Sequence, residues 1–440
     1  MSNTTVESWG RYPHYPQTAH QVHWRSELNA IYAQLAQEQT TTLAFGNGRS
    51  YGDSCLAQSQ HVIHTLALNR FIAVDWQTGI ISAEAGVTLA NILAITVPNG
   101  WFLPVTPGTK YVTLGGAVAN DVHGKNHHVR GTFGCHVRSF GLMRSNQDYL
   151  ICTKDQNADL FAASIGGLGL TGIIDYVELQ LMPIRSSMID TTTVRFNNIS
   201  EFFALAHELD AQHEYSVAWI DCLAKGTSIG RGVFFVGDHA TEGALVVPNK
   251  RKLSVPITPP ISAINQLSLR VFNSAYYRAH ASTRQNNSVS YEPFFYPLDG
   301  ILQWNRLYGR HGFQQYQCVI PDNVAQECMT ELLQTIAKSG TGSFLAVLKK
   351  CGNIPSPGLL SFPMSGVSLA LDFPQHQRLN QQLFPQLDAI VHAANGRLYP
   401  AKDAHMSGEH FRRFYPHWQQ LEALRDPALL SRFWNRVTQL

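Results

Sequence analysis

Three glycine-rich segments in the first 175 residues have the composition of turns that approach a bound ligand. They are FGNGRSYGDS (45–54), TPGTKYVTLGGAVANDVHGKNHH (106–128) and GGLGLTGII (166–174). Glycine tolerates positive φ and allows close backbone approach, and successive N–H groups in such turns form a nest for an anion. The first segment by itself is compatible with a pyrophosphate site or with a plain tight turn. The second is the stronger candidate, because several turns cluster there.

The third segment matches the GxGxxG pattern through Gly167, Gly169 and Gly172. In a dinucleotide-binding Rossmann unit this pattern follows a strand and opens a helix. Here it is followed by IIDYVELQLMP, whose alternation indicates a strand. The sequence therefore argues against a Rossmann fold at this position.

Basic side chains lie beside the second segment and near the C-terminus. His123, His127 and His128 have an HxxxHH spacing that could suggest a metal site, but no Cys, Asp or Glu completes a ligand set, so we expect no metal. Lys125 adds a further donor. Lys402, within YPAKD (399–403), would by default be a lysine on a solvated turn.

The elements that would position these residues indicate an α+β protein. A helix is predicted within residues 21–40, and short apolar runs then alternate with Gly, Pro and Asn as far as Pro183. Longer elements follow, such as EFFALAHELDAQH and QQYQCVIP. We predict three segments, residues 1–183, 184–395 and 396–440. The basic, proline-rich stretch 246–260 is either a surface loop or a lid over the site.

Composition excludes several classes of protein. The 440-residue chain has 44% hydrophobic and 15% charged residues and a net charge of +2, so a large core is expected and nucleic-acid binding is not. The 7 cysteines are scattered, which fits a reducing compartment. We see no signal peptide or apolar transmembrane stretch. The expected location is the cytoplasm, with peripheral contact at the membrane face left open.

Ordered motifs along nearly the whole chain resemble the vanillyl-alcohol-oxidase (PCMH-type) FAD-binding fold, and within it the decaprenylphosphoryl-β-D-ribose oxidase family. The resemblance implies a two-domain α+β architecture, with residues 1–183 binding FAD, residues 184–395 forming a cap on an antiparallel sheet, and residues 396–440 returning to the FAD domain. The motifs are GRSYGD (48–53), PGT (107–109), GGAVANDVHGKNHH (115–128), GTFGCHVRS (131–139), GGLGLTGII (166–174), FFYPLDGILQWNRLYG (294–309), QYQCVIP (315–321), SFLAVLK (343–349), LDFP (371–374) and GRLYPAKD (396–403).

The same resemblance implies roles for individual residues. The FAD contacts carried over are Phe45, Gly46, Asn47, Gly48, Arg49, Ser50, Tyr51, Gly52, Asp53, Ser54, Gly108, Thr113, Leu114, Gly115, Gly116, Asn120, Asp121, Val122, His123, either Ile173 or Ile174, Tyr399 and Lys402. Substrate contacts are Lys125, Gln315, Gln317, Lys349, Ser368 and Ala370. The catalytic candidates are Lys402, Lys349 and His123.

Departures from the family pattern bear on cofactor attachment and substrate. Arg49 stands where covalent relatives have the histidine of GGxHS, which implies noncovalent FAD. Ala370, Ser368 and Phe295 replace a cysteine, an asparagine and a tyrosine of the ribose oxidases, so the substrate pocket is altered.

The implied activity is FAD-dependent oxidation of a secondary hydroxyl of a sugar. The substrate would be a polyprenyl-phosphoryl ribose, oxidised to a 2-keto intermediate as the first half of an epimerisation in cell-wall precursor synthesis. An NAD(P)H-dependent short-chain reductase would be the partner that completes it. Two alternatives remain open: an aldonolactone or alditol oxidase acting on a free sugar, and a non-catalytic flavoprotein subunit.

Overall fold

The computed structural model describes residues 4–38, 41–248 and 252–439. Residues 249–251 of the predicted loop or lid lie outside the described residues, so its role stays a prediction. Among the described residues, no helix has the length and apolar character needed to cross a membrane.

The first 183 residues form two main β-sheets joined by short helices. A four-stranded sheet has the order β1-β2-β4-β3, a five-stranded antiparallel sheet has the order β5-β6-β10-β8-β9, and β7 pairs with β11. The strands are β1 (Thr4–Val6), β2 (Gln17–Gln21), β3 (Ala44–Phe45), β4 (His61–His64), β5 (Phe71–Asp75), β6 (Ile80–Glu84), β7 (Trp101–Phe102), β8 (Val137–Met143), β9 (Tyr149–Thr153), β10 (Ile173–Gln180) and β11 (Met182–Pro183). The helices are α1 (Arg25–Gln37), α2 (Leu89–Thr96), α3 (Leu114–Ala119), α4 (His127–Arg130) and α5 (Ala158–Ser164). The predicted strand after Gly172 is confirmed as β10.

The middle of the chain is built on one large antiparallel sheet with the order β16-β12-β14-β13-β19-β20-β18-β21. Its strands, with the short parallel pair β15 and β17, are β12 (Met188–Phe196), β13 (Tyr215–Ile220), β14 (Gly232–His239), β15 (Leu253–Ser254), β16 (Gln285–Ser290), β17 (Ile301–Leu302), β18 (Phe313–Pro321), β19 (Ala346–Cys351), β20 (Gly366–Pro374) and β21 (Arg397–Leu398). The helices are α6 (Ile199–Leu209), α7 (Gln266–Arg278), α8 (Tyr291–Phe295), α9 (Ala325–Ser339) and α10 (Phe384–Ala393). The α+β fold predicted from the sequence is confirmed.

Helix α9 shows how sequence periodicity anchors this sheet. Met329, Leu332, Leu333 and Ile336 recur at helical spacing and are buried, so one face of the helix packs into the core shared with the sheet. Gly340 ends the helix with φ 73°, a left-handed conformation that glycine adopts without steric cost.

The C-terminal segment connects both halves of the molecule. After β21 joins the edge of the large sheet beside β18, the chain crosses to the first half and forms α11 (Gly408–Phe414), α12 (Trp418–Leu424) and α13 (Arg432–Thr438). Backbone hydrogen bonds run from Tyr51 N–H to the Ala401 carbonyl and from Arg432 N–H to the Leu56 carbonyl, at 3.0 and 2.8 Å. The YPAKD turn is thereby held beside the first glycine-rich segment.

Candidate active site

A cavity lies between the glycine-rich turns of the first half, the large sheet and the C-terminal segment. Its wall contains every predicted substrate residue: Lys125, Gln315, Gln317, Lys349, Ser368 and Ala370. From the predicted cofactor set it contains Phe45, Gly46, Asn47, Gly48, Arg49, Ser50, Tyr51, Ser54, Gly108, Thr113, Gly115, Gly116, Asn120, Val122, His123, Ile174, Tyr399 and Lys402. Residues far apart in sequence therefore meet around one space.

The first two glycine-rich turns are brought together by close packing. A Cβ at Gly46 would lie 2.4 Å from Thr113 Oγ1, and one at Gly115 would lie 2.9 Å from the Cβ of Ala85. The Asn47 side chain donates a hydrogen bond of 2.7 Å to the Tyr111 carbonyl. A side chain at Gly46 would separate the two turns, and one at Gly115 would push the second turn away from Ala85, so both glycines are needed for packing.

The cavity wall fits a group that carries phosphates. A Cβ at Gly108 would meet no atom within 4 Å, and one at Gly116 would meet only Thr113 Oγ1. Both backbones therefore border open space. Arg49 Nε and Ser54 Oγ are buried without a hydrogen-bond partner among the described residues, and the Arg49 guanidinium lies 4.0 Å from the centre of the Trp9 ring. Unpaired buried donors are costly, and an anionic ligand beside them would satisfy them.

The large sheet presents polar side chains to the same cavity from three adjacent strands. In the register of β18 and β20, Gln315 lies opposite Asp372 and Gln317 lies opposite Ala370. Between β19 and β20, Lys349 lies opposite Ser368. Because side chains alternate between the faces of a strand, this register places all six residues on one face of the sheet.

His123 is buried between Gln317 and Lys349. Its Nδ1 lies 2.9 Å from Lys349 Nζ and its Nε2 lies 3.0 Å from the Gln317 amide nitrogen. Burial, together with the nearby charges of Lys349, His127 and Lys402, lowers the pKa of His123 well below its usual value, so the ring is neutral. Burial also lowers the pKa of Lys349 to about 8, and this lysine donates a 2.7 Å hydrogen bond to the Gly124 carbonyl.

Lys402 lines the same cavity and faces Tyr51, with its Nζ 3.8 Å from the centre of the Tyr51 ring. Burial lowers the pKa of Lys402, while the carboxyl group of Asp372 acts against that shift. Burial raises the pKa of Asp372, which accepts a 2.7 Å hydrogen bond from Gln315. A lysine and a carboxyl group thus lie at one end of the polar face of the sheet.

A buried ion network fastens the segment that carries Lys402. Arg436 donates to both carboxylate oxygens of Asp53, at 2.8 and 3.0 Å, and to Asp403 at 2.9 Å. His405 lies between Asp403 and Asp388, at 3.1 and 3.3 Å. Burial disfavours its charge, but the two carboxylates outweigh burial and raise the pKa of His405. The network links the first glycine-rich turn to the YPAKD turn.

Five residues of the predicted cofactor set do not line the cavity. They lie behind its wall, where they pack or form hydrogen bonds. Gly52 packs against the Asp403 backbone, Asp53 pairs with Arg436, and Leu114 and Ile173 are fully buried in the core. Asp121 accepts hydrogen bonds from Gly134 N–H and the hydroxyls of Ser356 and Ser361, so it anchors the loop before His123. Of the two isoleucines, Ile174 reaches the cavity.

The two other histidines of the HxxxHH pattern are directed to separate partners. His127 Nδ1 accepts a hydrogen bond of 3.1 Å from Gly352 N–H, and His128 Nε2 lies 3.0 Å from the His213 carbonyl oxygen. The three rings therefore do not converge on one point.

Several features of the site were not predicted from the sequence. Trp9, Asp299 and Trp304 line the cavity, and so do Leu168 and Gly169 of the GxGxxG segment. No role was predicted for Asp372 or Arg436 either. The LDFP motif contains Asp372, but only its pairing with Gln315 reveals its position.

Comparison with known proteins agrees with this architecture. Residues 16–153 match a family model described as an FAD binding domain. The chain is 35% identical to decaprenylphosphoryl-β-D-ribose oxidase of Mycolicibacterium smegmatis over 88% of this chain and 86% of that protein. It is 31% identical to an uncharacterized Streptomyces coelicolor protein over 78% of this chain and 96% of that protein. L-Gulonolactone oxidase of Mus musculus is 27% identical over 40% of each chain.

The fold, the cavity and the matched domain define an FAD-dependent oxidoreductase that acts on CH–OH groups. Within that class, the chain belongs to the decaprenylphosphoryl-β-D-ribose oxidase family.

Proposed function

We propose that this flavoenzyme oxidises the secondary hydroxyl at C2 of a pentose carried on a polyprenyl phosphate, as the first half of an epimerisation. The observation that carries the proposal is the convergence of Lys125, Lys349 and Lys402 with two glutamines around the cavity that the glycine-rich turns border. Glutamine amides suit sugar hydroxyls, and ammonium groups suit a phosphate. We propose that FAD is held noncovalently by the glycine-rich turns, with Arg49 near its phosphates.

In the proposed mechanism, bound FAD supplies the acceptor, at N5, for the hydride that leaves the sugar carbon. As that hydride leaves, the hydroxyl proton passes by way of Lys402 to the carboxylate of Asp372, whose pKa burial raises, so that Lys402 ends the step charged. Lys402 provides positive charge at the reacting end of the cavity, and Asp372 favours its charged form. Lys349 donates hydrogen bonds to the Gly124 carbonyl and to Nδ1 of neutral His123, so the two side chains hold each other in position to orient the sugar.

We propose further that Lys125 or Lys349 holds the substrate phosphate, and the pH dependence of substrate binding tests this. Burial, reinforced by Lys349, lowers the pKa of Lys125 to about 7, and burial lowers that of Lys349 to about 8. Both ammonium groups are charged below these values and lose their charge as the pH rises through them. We therefore expect KM for a phosphorylated substrate to rise severalfold between about pH 7 and pH 9. A KM that is flat over this range would contradict phosphate binding by these lysines, and a free pentose serves as the control.

Anaerobic flavin reduction with a panel of substrates tests the proposed activity. We expect polyprenyl-phosphoryl ribose to bleach the flavin faster than free ribose, L-gulono-lactone or an alditol does. A preference for the lactone or alditol would instead assign a free-sugar oxidase. That alternative has support from the similarity to L-gulonolactone oxidase and from the small residues Ser368 and Ala370 in the pocket. If no member of the panel bleaches the flavin, the chain would be a non-catalytic flavoprotein.

The keto product of the proposed reaction must be reduced again to complete an epimerisation. We propose that a separate NAD(P)H-dependent short-chain reductase performs this step. The reaction would take place at the cytoplasmic face of a membrane, where a lipid-linked sugar is available.

A further inference from the structure

Exposed aliphatic side chains are concentrated in one stretch of the chain, residues 253–271. Leu253, Ile257, Ile261, Leu267 and Val271 are each 63–77% exposed. We call these five residues the docking face. Large exposed apolar groups scattered singly are common on proteins, but a cluster of them marks an interaction surface.

The backbone beneath the docking face is held in place. Leu253 pairs with Ile301 between β15 and β17, Arg306 donates to the Val255 carbonyl at 2.9 Å, and Ala263 N–H donates to the Leu307 carbonyl at 2.9 Å. The segment therefore follows residues 301–309 closely. Its aliphatic side chains are exposed although its main chain is anchored.

Helix α7 continues the face with an amphipathic arrangement. Leu269, Asn273 and Tyr277 form its buried side. Leu267 and Val271 lie on the exposed side, one helical turn apart. Arg270 and Arg278 are exposed on the same helix, so apolar and basic groups occur together.

The stretch of chain that carries the docking face has no acidic residue of its own. Residues 243–291 contain no Asp or Glu, although the whole chain has 33 basic and 31 acidic residues. Its described basic residues are Lys252, Arg270, Arg278 and Arg284, and Arg284 is paired with the exposed Glu208. Exposed apolar side chains beside the exposed arginines of α7 complement an anionic bilayer, where each basic residue near the surface adds to binding. A second copy of the same face would bring like charges together.

Residues next to the docking face border a side cavity beside the active site. Ser254, Ile301 and Leu302 line a side cavity that shares Trp9 and Trp304 with the main cavity. A lipid-linked sugar approaching along this side would pass the docking face before reaching the cavity.

We infer that the docking face binds the surface of an anionic lipid bilayer and so presents the cavity to a lipid-linked substrate. This inference rests on the proposed function for its purpose, but the bilayer contact itself can be measured without substrate. The aliphatic side chains enter the lipid surface while the arginines contact its headgroups.

Vesicle sedimentation of the FAD-bound enzyme tests the inference. Wild-type protein should bind vesicles of equal phosphatidylglycerol and phosphatidylcholine, and bind phosphatidylcholine vesicles at least tenfold more weakly. The double variant Leu267→Asp/Val271→Asp should bind the anionic vesicles at least tenfold more weakly than wild type, because it removes apolar contact and adds negative charge. Arg270→Gln/Arg278→Gln should lose most of the preference for anionic lipid.

A matched control is Phe71→Asp/Ile72→Asp, which alters two exposed apolar residues of β5 and makes the same charge change. It should bind vesicles as wild type does, and all variants should retain their flavin absorbance. Equal binding by wild type and Leu267→Asp/Val271→Asp would overturn the inference. So would a shift from dimer to monomer in that variant with vesicle binding unchanged, because the face would then contact a second copy.

Failure of the bilayer contact and failure of the proposed function give different results. If wild type fails to bind anionic vesicles but its flavin is bleached by lipid-linked pentose, the docking face is wrong and the activity stands. If vesicle binding follows the pattern above but no lipid-linked sugar bleaches the flavin, the bilayer contact stands and the substrate assignment is wrong.

Discussion

Replacing Lys402 with Met is expected to leave FAD bound and to slow anaerobic flavin reduction by about 10²–10³-fold, the usual cost of losing one preorganised charge at a reacting centre. Lys402 packs against Tyr51 and faces Asp372 at the end of the cavity. Methionine preserves most of the side-chain volume, so the turn at 399–403 should keep its shape. The measurement is the rate of flavin bleaching in a stopped-flow instrument at saturating substrate.

Lys402→Arg is the matched control, because it keeps the positive charge. It should reduce flavin faster than Lys402→Met, though more slowly than wild type, since the larger guanidinium does not fit the same position. If Lys402→Met reduces its flavin within about threefold of the wild-type rate, the charge at this position has no part in the reaction.

Replacing Arg436 with Met is expected to destabilise the protein by about 3–5 kcal/mol, because it leaves buried carboxylates without their partner. Asp53 and Asp403 have side chains only 5% and 2% exposed. The same change frees the YPAKD turn from the first glycine-rich turn, so FAD retention should fall as well. Unfolding in guanidinium chloride and the flavin content after gel filtration measure the two effects.

The loss should depend on pH. Burial raises the pKa of Asp53 and Arg436 acts against that rise, so without the arginine Asp53 would bind protons more readily in the folded state than in the unfolded state. Destabilisation is therefore largest at neutral and higher pH and decreases as the pH falls through the raised pKa. Arg138→Met, which breaks an exposed pair with Glu178, should cost less than about 1 kcal/mol. Equal losses of stability in the Arg436 and Arg138 variants would contradict the role of the buried ion network.

The glycine-rich turns could be predicted because the residues that form each turn are adjacent in the sequence. A run such as residues 45–54 shows its special backbone needs in the sequence itself, and the strand after Gly172 is visible in its alternation. The resemblance to a known family added side chains such as Lys349 and Lys402 to the predicted site. These residues do line the cavity.

The parts that could not be predicted depend on long-range contacts. Arg436 and Asp53 are 383 residues apart, and nothing near either residue indicates the pairing. Asp372 joins the polar face only through the register of β18 with β20. A shift of one residue would turn its side chain to the opposite face of the sheet. The positions of Arg436, Asp53 and Asp372 therefore depend on strand register and on tertiary contacts.

The most direct test of the proposed activity is anaerobic stopped-flow reduction with polyprenyl-phosphoryl ribose that carries deuterium at C2. We predict that the unlabelled compound bleaches the flavin and that deuterium at C2 slows the bleaching severalfold, because the bond to that hydrogen breaks in the step that reduces FAD. A flavin that stays oxidised, or one that is bleached at the same rate with either compound while deuterium at another carbon slows it, would contradict oxidation at C2.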